Sequence, residues 1–317
     1  MNIALPERVL RFRADLGALA GPSPARFGLA VSGGPDSLAL LLLAEAAFPG
    51  HFEAATVDHK LRSENAAEAA FVHDLCAARG IAHATLVGPA IEGNVQAGAR
   101  ALRYRLLGGW ARDRGLGFLL TAHQQDDQAE TLLMRLQRGA GLAGLVGIRP
   151  RAEIDGVDVL RPLLGWRRAE LAGIVAAAGL TPVEDPSNSD DRFDRARLRR
   201  RLAGTDWLDP PSLARSAAAL AEAEAALDWT VERLIAERSE ATNDGLSFDA
   251  SGLPAELRRR ALLRLLALLV PAGPPRGEAA GRLLAALEAG ETATLAGVKC
   301  EGGPVWLLST APPRRGC

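Results

Sequence analysis

Short apolar runs alternate with amphipathic stretches through the first half of the chain. The apolar runs predict four strands, at Phe27–Val31, Glu53–Val57, Ile81–Val87 and Phe118–Thr121. The amphipathic stretches predict four helices, at Leu38–Ala47, Asn65–Arg79, Val95–Arg114 and Asp127–Arg138. Because strands that alternate with helices form parallel sheets, we predict an α/β domain with a doubly wound, mostly parallel sheet that is covered on both faces.

The second half of the chain has long alanine- and leucine-rich stretches that follow a breaking pair, Pro210-Pro211. They predict three helices and a terminal β-pair, at Ser212–Glu240, Leu253–Val270, Glu278–Glu288, and Ala293–Lys299 with Val305–Leu308. We therefore predict an α/β domain over residues 1–209 and an appended, mainly helical domain over residues 210–317.

The hexapeptide Ser32-Gly33-Gly34-Pro35-Asp36-Ser37 joins the first predicted strand to the helix that follows it. Its glycines let the backbone approach a phosphate closely, and the free N–H groups of a helix start favour an anion. The two serines add hydroxyl donors, and Asp36 could hold a Mg²⁺ ion that bridges phosphate oxygens. The spacing differs from a dinucleotide fingerprint and lacks the Walker A lysine. The alternative is a glycine-rich turn that binds nothing.

Two further polar segments follow predicted strands. Asp58-His59-Lys60-Leu61-Arg62 follows the second strand, and His123 follows the fourth. Ligands of such sheets bind beyond the carboxyl ends of the strands, so we expect these residues to share one site with the hexapeptide. His59 and Arg62 would contact phosphates of a nucleotide or of pyrophosphate. The alternative is that these residues are a polar segment at the end of a strand and bind no ligand.

Asp126, Asp127 and Glu130 bring three carboxylates to the start of the helix after His123. Their spacing places them around one spot, where they repel one another unless a cation lies among them. A magnesium ion or an ammonium group would serve. The alternative is a solvated helix N-terminus, where acidic residues are favoured in any case.

Arginines are concentrated in two places. Arg100 and Arg103 lie three residues apart on one predicted helix, where they would stabilise charge on a transferred phosphate or form a solvated basic face. A denser run contains Arg192, Arg195, Arg197, Arg199, Arg200 and Arg201. In a chain of net charge −1, this run indicates a local track for nucleic-acid phosphates, with a solvated face as the alternative.

The composition is that of a globular protein, with 317 residues of which 48% are hydrophobic and 24% charged. The three cysteines, Cys76, Cys300 and Cys317, form no CxxC pair, so neither a zinc site nor an iron–sulfur site is indicated. The N-terminal residues contain no secretory apolar segment, and no apolar run is long enough to span a membrane. We therefore expect a cytoplasmic protein.

Taken in order, these motifs resemble those of the tRNA(Ile)-lysidine synthetases, a bacterial family of the PP-loop ATP pyrophosphatase superfamily. The resemblance runs from about Phe27 to Arg201. It rests on Ser32–Ser37, Val57–Arg62, Ala99–Tyr104, Thr121–Thr131, Arg138–Gly141, Arg161–Leu164 and Asp185–Asn188. The hexapeptide alone would indicate only the superfamily, whereas the ordered set is typical of the family.

The resemblance implies an adenine nucleotide alpha hydrolase-like fold and a ligase that attaches free lysine to C2 of the wobble cytidine in CAU-anticodon tRNA(Ile). ATP would adenylate the cytidine with release of pyrophosphate, and lysine would then displace AMP. The product, lysidine, changes the codon specificity from AUG to AUA. The resemblance is also compatible with a homodimer.

The resemblance further assigns roles to the residues at the matching positions. ATP would be bound by Ser32, Gly33, Gly34, Pro35, Asp36, Ser37, Asp58, His59, Arg62 and His123. Lysine would be bound by Asp126, Asp127 and Glu130, and tRNA by the six arginines of the run from 192 to 201. Asp36, Arg103 and Asp127 would be catalytic, with Asp36 also binding Mg²⁺.

Two positions depart from the family pattern. Gln124 stands where the family usually has a second histidine, and Arg195-Ala196 stands where it usually has Arg-Asn. Three other functions compete with the lysidine reaction. A tRNA thiolase of the same superfamily typically needs a cysteine pair, which this chain lacks. A small-molecule amidating ligase should lack the arginine run and the helical appendage, and a non-catalytic nucleotide sensor would release no pyrophosphate.

Overall fold

The computed structural model of the chain describes residues 5–22, 24–58, 64–89, 95–183, 194–205, 207–269 and 278–311. It divides into two compact units, residues 1–221 and residues 222–317. The division falls inside the long helix that begins at Pro210.

The first unit alternates helices and strands along the chain. Its elements are α1 (Pro6–Ala20), β1 (Phe27–Ala30), α2 (Pro35–Ala47), β2 (Phe52–Asp58), α3 (Glu64–Ala78), β3 (His83–Val87), α4 (Val95–Asp113), β4 (Leu119–Leu120), α5 (Gln125–Gln137), α6 (Leu142–Leu145), β5 (Arg151–Ile154), β6 (Val157–Leu160), α7 (Arg168–Ala177), α8 (Asp194–Ala203) and the start of α9 (Pro210–Arg238).

Within the described residues, six strands of the first unit form one sheet in the order β3-β2-β1-β4-β6-β5. All neighbours are parallel except β5, which runs antiparallel to β6. This confirms the predicted α/β class. The strand order changes direction between β1 and β4, which opens a crevice beyond the carboxyl ends of these two strands. The hexapeptide follows β1 and His123 follows β4, so the two motifs lie on either side of that crevice.

The helix that follows the hexapeptide is buried on all sides. Every residue from Ser37 to Ala44 is buried, because α1 and α7 pack against α2 from one side and β1 from the other. Phe27 of β1 stacks between Phe52 and Phe118, with ring centroids 5.8 Å and 5.4 Å apart. A helix that is apolar all round belongs to the centre of a core. The loop at its start is therefore held by a helix that lies in the core of the unit.

The predicted helices and strands of the first unit lie within a few residues of the observed ones. The largest shift is at α2, which begins at Pro35 because the fixed φ of proline suits the first position of a helix. The elements that the predictions do not include are α1, the short helix α6 and the β5–β6 hairpin. The turn of this hairpin, Asp155-Gly156, has φ of 51° and 73°. Asp-Gly favours this geometry, so the signal for the hairpin is present in the sequence.

The second unit contains the rest of α9 and two further helices, with a sheet that is larger than the predicted terminal pair. Its other elements are β7 (Ser239–Thr242), β8 (Gly245–Asp249), α10 (Ala255–Leu269), α11 (Glu278–Glu288), β9 (Thr292–Leu295), β10 (Val298–Glu301) and β11 (Val305–Thr310). Helices hold most of its regular residues, as predicted. Among the described residues, five strands form an antiparallel sheet in the order β7-β8-β11-β10-β9.

One face of this sheet builds the core of the second unit. Phe248, Cys300 and Trp306 are buried with leucines of α10 and α11. The β9–β10 turn, Ala296-Gly297, has positive φ at both residues, 52° and 83°. Alanine rarely adopts this conformation, so the turn is hard to predict from its residue types.

Among the residues that the structure describes, no helix is both long and apolar enough to cross a bilayer.

Cys76 and Cys300 are buried, and burial raises the pKa of each thiol to about 11. Both thiols therefore stay protonated and act as core side chains.

Replacing Gly28 with alanine should destabilise the first unit. A Cβ at this position of β1 would lie 2.6 Å from Leu119 Cδ2 and 2.7 Å from Trp110 Cζ3, both in buried side chains. Overpacking of this kind costs about 1–3 kcal/mol. The thermal unfolding midpoint should fall accordingly.

The control is Gly173→Ala in α7, where the added Cβ meets nothing within 4 Å. Alanine is the better helix former by about 1 kcal/mol, so this variant should unfold at the same temperature as the parent chain or above it. An unchanged midpoint for Gly28→Ala would show that the strand and α4 can move apart at no cost.

Candidate active site

The loop after β1 closes on itself through Ser37. Ser37 Oγ donates a hydrogen bond to the Gly34 carbonyl at 2.9 Å and accepts one from the Ser32 N–H at 3.2 Å. Ser32 Oγ lies 3.3 Å from the same hydroxyl. The loop is thus fixed before any ligand binds, and the first-turn N–H groups of α2 remain available to an anion.

Gly33 is required by both its backbone and its surroundings. Its φ is +82°, a conformation that side chains other than glycine rarely adopt. A Cβ there would also lie 3.1 Å from Val183 Cγ2 and 3.4 Å from Val72 Cγ2. The Val183 N–H donates to the Gly33 carbonyl at 3.0 Å. The chain beyond α7 therefore supports the loop directly.

Asp36, in the first turn of α2, carries an unpaired carboxylate oxygen. Its Oδ1 is buried and has no hydrogen-bond partner among the described residues. Burial, followed by the charge of Asp127, raises the pKa of Asp36 to about 6, although nearby arginines oppose the shift. Among the described residues no group of three or more acidic, histidine or cysteine side chains could hold a metal by itself. One carboxylate together with phosphate oxygens and water is, however, a usual set of Mg²⁺ ligands, so Asp36 fits that role.

Gln124 caps the helix that carries the acidic cluster. Its side-chain Oε1 accepts the Asp126 N–H at 2.5 Å, and its backbone N–H donates to Asp127 Oδ2 at 3.1 Å. These two bonds form a capping box, so α5 begins at Gln125 and not at Asp127. The glutamine that departs from the family pattern thus orients one of the predicted catalytic carboxylates.

Glu130 is the centre of a buried ion-pair cluster. Its Oε1 accepts hydrogen bonds from Arg168 Nη2 at 3.0 Å and Arg199 Nε at 2.9 Å. Its Oε2 accepts from Arg195 Nε at 2.8 Å and Arg199 Nη2 at 3.2 Å. Burial alone would raise the pKa of Glu130, but the Arg199 hydrogen bonds and the three guanidinium charges hold it below its usual value. The four bonds fill the acceptor positions of this carboxylate.

Arginines therefore supply the positive charge that the three neighbouring carboxylates require. Asp126 Oδ2 accepts the backbone N–H of Arg168 at 2.9 Å. Asp127 Oδ1 has only longer contacts, 3.4 Å to Arg195 Nη2 and 3.7 Å to Arg168 Nη2. Burial raises the pKa of Asp127, while the charge of Arg195 opposes the shift. Of the three predicted lysine ligands, Asp126 and Asp127 keep acceptor capacity that Glu130 does not, and the role of the set stays a prediction.

His123 lies in basic surroundings. Its Nδ1 is 2.9 Å from Thr121 Oγ1, within hydrogen-bond distance. Burial and the charges of nearby arginines, Arg161 first, lower the pKa of His123 to about 3. The ring is therefore neutral at physiological pH. Arg103, on the exposed side of α4, is one of these arginines, which brings two of the predicted site residues together.

The arginine run is divided between two environments. Arg195 and Arg199 of α8 are partly buried against Glu130. Arg197, Arg200 and Arg201 are exposed, and Arg197 pairs with Asp194. The helix thus presents cations both to the acidic cluster and to solvent.

The remaining predicted residues are less informative. Asp58 is buried at the end of β2. His59, Arg62 and Arg192 lie outside the described residues, and their roles in binding ATP and tRNA stay predictions.

Three residues of the site have no role in the sequence-based assignment. Arg161 follows β6 and lies near His123, Arg168 opens α7 and pairs with Glu130, and Gln124 caps α5. Arg161 belongs to one of the motifs that carry the resemblance, so its position was available as a signal. Arg168 gave no signal, because an arginine at a helix start is common on protein surfaces.

Comparison with known proteins identifies the family to which the first unit and the whole chain are similar. Residues 7–205 match the model of the PP-loop domain family. The chain is 51% identical over 315 residues to a tRNA(Ile)-lysidine synthase of Novosphingobium aromaticivorans, covering 96% of this chain and 94% of the relative. It is 42% identical over 322 residues to the tRNA(Ile)-lysidine synthase of Zymomonas mobilis, covering 99% and 97%.

A solved structure shares the fold at lower identity. The U34-tRNA thiolase NcsA from Methanococcus maripaludis has a TM-score of 0.57 at 18% identity, covering 68% of this chain and 78% of that one. This likeness concerns the fold alone. The full-length similarity in sequence goes further, and the chain belongs to the tRNA(Ile)-lysidine synthase family of PP-loop proteins.

Proposed function

We propose that this chain uses ATP to join free lysine to C2 of the wobble cytidine of a CAU-anticodon tRNA(Ile), forming lysidine. The observation that carries the proposal is similarity over nearly the whole chain to tRNA(Ile)-lysidine synthases, with 51% and 42% identity to two of them. The hexapeptide loop from Ser32 to Ser37, called the PP-loop below, is fixed by its own hydrogen bonds, and this supports the same function. The cluster of Asp126, Asp127 and Glu130 supports it as well.

In the first step the C2 oxygen of cytidine attacks the α-phosphate of ATP, and pyrophosphate leaves. The protein contributes position and charge stabilisation to such a step, without covalent chemistry. We assign the β- and γ-phosphates to the loop from Ser32 to Ser37, with Asp58, His59, Arg62 and His123 as further ATP contacts and Arg103 beside the adenylate.

Mg²⁺ fits this site through Asp36. The buried and unpaired Oδ1 of Asp36 supports that role, because a hard cation would satisfy it and oppose the rise in its pKa. When bound, the ion would neutralise charge on the phosphates.

In the second step the side-chain amine of lysine attacks C2 and AMP leaves. The ammonium group must lose a proton first, because only the neutral amine is nucleophilic. We assign the ammonium to Asp126 and Asp127, with Asp127 as the group that takes the proton. Glu130 completes this pocket by fixing the arginines around it. The raised pKa of Asp127 supports the role of a base, because a weaker acid holds a proton better.

We assign tRNA to the exposed arginines of α8 and to the region from residue 210 to 317. Solvent-facing guanidiniums on one helix suit an RNA backbone.

The proposal also includes a homodimer and a location in the cytoplasm. Light scattering on the purified chain tests whether it forms a dimer. Of the rival functions, a thiolase is disfavoured because the sequence has no CxxC pair.

The wild-type chain should incorporate labelled lysine into a CAU-anticodon tRNA(Ile) transcript. Incorporation should require ATP and Mg²⁺ and should release one AMP and one pyrophosphate per lysine. A transcript with a uridine in place of the wobble cytidine is the control. Release of pyrophosphate without lysine uptake would point to another adenylating enzyme, and no release at all would favour a nucleotide sensor.

Asp127→Asn should raise the KM for lysine while leaving the KM for ATP near the wild-type value. A hydrogen bond to a charged group contributes about 1.5–3 kcal/mol, which corresponds to roughly tenfold or more in affinity. The matched control is Asp113→Asn, at the exposed end of α4. An unchanged KM for lysine would remove Asp127 from the lysine pocket.

Asp36→Asn should stabilise the protein above about pH 6 when ATP and Mg²⁺ are absent. The folded pKa of Asp36 is about 6, above an unfolded value of ~3.9, so the ionised carboxylate costs folding free energy at neutral pH. That cost disappears as the pH falls through 6 towards 4. The gain in thermal midpoint should therefore shrink over this range. Asp113→Asn should give no such pH-dependent gain, and a variant less stable than wild type at neutral pH would contradict the assignment.

A further inference from the structure

Arg161 is a buried cation without a carboxylate partner among the residues that the structure describes. It is 3% exposed and follows β6 at the carboxyl end of the sheet. Its Nη1 donates to the Arg149 carbonyl at 2.7 Å, and its Nε is buried with no hydrogen-bond partner among the described residues. An unpaired buried charge costs several kcal/mol, so such a residue is expected where a ligand supplies the missing charge.

The neighbours of Arg161 are cations and an aromatic ring. The interaction with Tyr104 opposes the effect of burial on the pKa of Arg161, and the guanidinium of Arg100 stands 5.0 Å from the centroid of the Tyr104 ring. The charge of Arg100 adds to burial in lowering the pKa of Arg161. The same two arginines lower the pKa of His123. Arginines therefore gather around Arg161 and His123, although the whole chain is nearly neutral.

We propose that Arg161, Arg100 and Tyr104, together with His123, form a second anion subsite that binds a phosphate group of the substrates. Guanidinium groups match the oxygens of a phosphate, and a phenol and a neutral imidazole can donate further hydrogen bonds. A carboxylate ligand would fit less well, because it could not reach as many donors with two oxygens.

This subsite is separate from the PP-loop along the sheet. The PP-loop follows β1, whereas His123 and Arg161 follow β4 and β6, on the other side of the point where the strand order changes direction. The proposal rests on the proposed function, which supplies two phosphates that need a site there. One is the α-phosphate that stays on the adenylated base after pyrophosphate has left. The other is a backbone phosphate of the RNA next to the wobble cytidine.

Arg161→Met tests the subsite, because methionine fills much of the buried space without charge. Arg161→Lys is the second variant, since it keeps the charge and loses the planar fork. The matched control is Arg151→Met, an exposed residue of β5 that pairs with Asp158. Binding of AMP and of a tRNA(Ile) transcript without ATP is measured for each variant, together with thermal unfolding.

Arg161→Met should weaken the binding of one of the two ligands by on the order of tenfold to hundredfold, as expected for the loss of hydrogen bonds to a charged group. Arg161→Lys should lose less, and Arg151→Met should match the wild type. Weaker binding of AMP alone identifies the α-phosphate, and weaker binding of the transcript alone identifies the RNA backbone.

Wild-type affinity for both ligands in a folded Arg161→Met variant would overturn the proposal and leave Arg161 as a structural residue. If Arg161→Met does not fold, the same test applies to Arg161→Lys, where unchanged binding of both ligands would also overturn it. These results are independent of lysine incorporation by the wild-type chain, on which the proposed function stands or falls.

Discussion

One buried carboxylate, Glu130, joins three helices of the first unit. It sits on α5 and accepts hydrogen bonds from Arg168 of α7 and from Arg195 and Arg199 of α8. Removing Glu130 would leave three arginines, which are 28–42% exposed, without the carboxylate that they share, and would weaken the packing of α7 and α8 against α5. The position of α8, and hence of its solvent-facing arginines, depends on this single side chain.

The cluster also sets the electrostatics of the nucleotide site. Asp127 lies one turn before Glu130 on the same helix, and its charge reaches Asp36 at the PP-loop. Arg168 and Arg199 act on Glu130 and on Asp36 alike. The helix that would bind RNA and the residue that would bind Mg²⁺ therefore interact with the same charged side chains. A change in the charge of either one alters the electrostatic environment of the other.

The sequence predicts most of the first unit because its elements depend on local pattern. An apolar strand, two glycines and an apolar helix are enough to predict the strand–loop–helix around Ser32–Ser37, and α2 differs only in where it begins. The observed partners of Glu130 could not be predicted in this way, since Arg168 and Arg199 are separated from it by 38 and 69 residues and the pairing depends on how α7 and α8 pack. The same reasoning explains Arg161, whose significance lies in the absence of a counter-charge among its described neighbours, a property of three-dimensional packing.

The near-exclusive use of arginine has a chemical consequence for an enzyme that makes a reactive intermediate. The only lysines of the chain are Lys60 and Lys299, and the cations around Asp127 and His123 are guanidiniums. A guanidinium remains protonated at any physiological pH and is a poor nucleophile, whereas a lysine amine beside an adenylated base would compete with the free amino acid. Within the part of the chain that the structure describes, which leaves out Lys60, the site therefore concentrates positive charge around an electrophile without offering it a second amine.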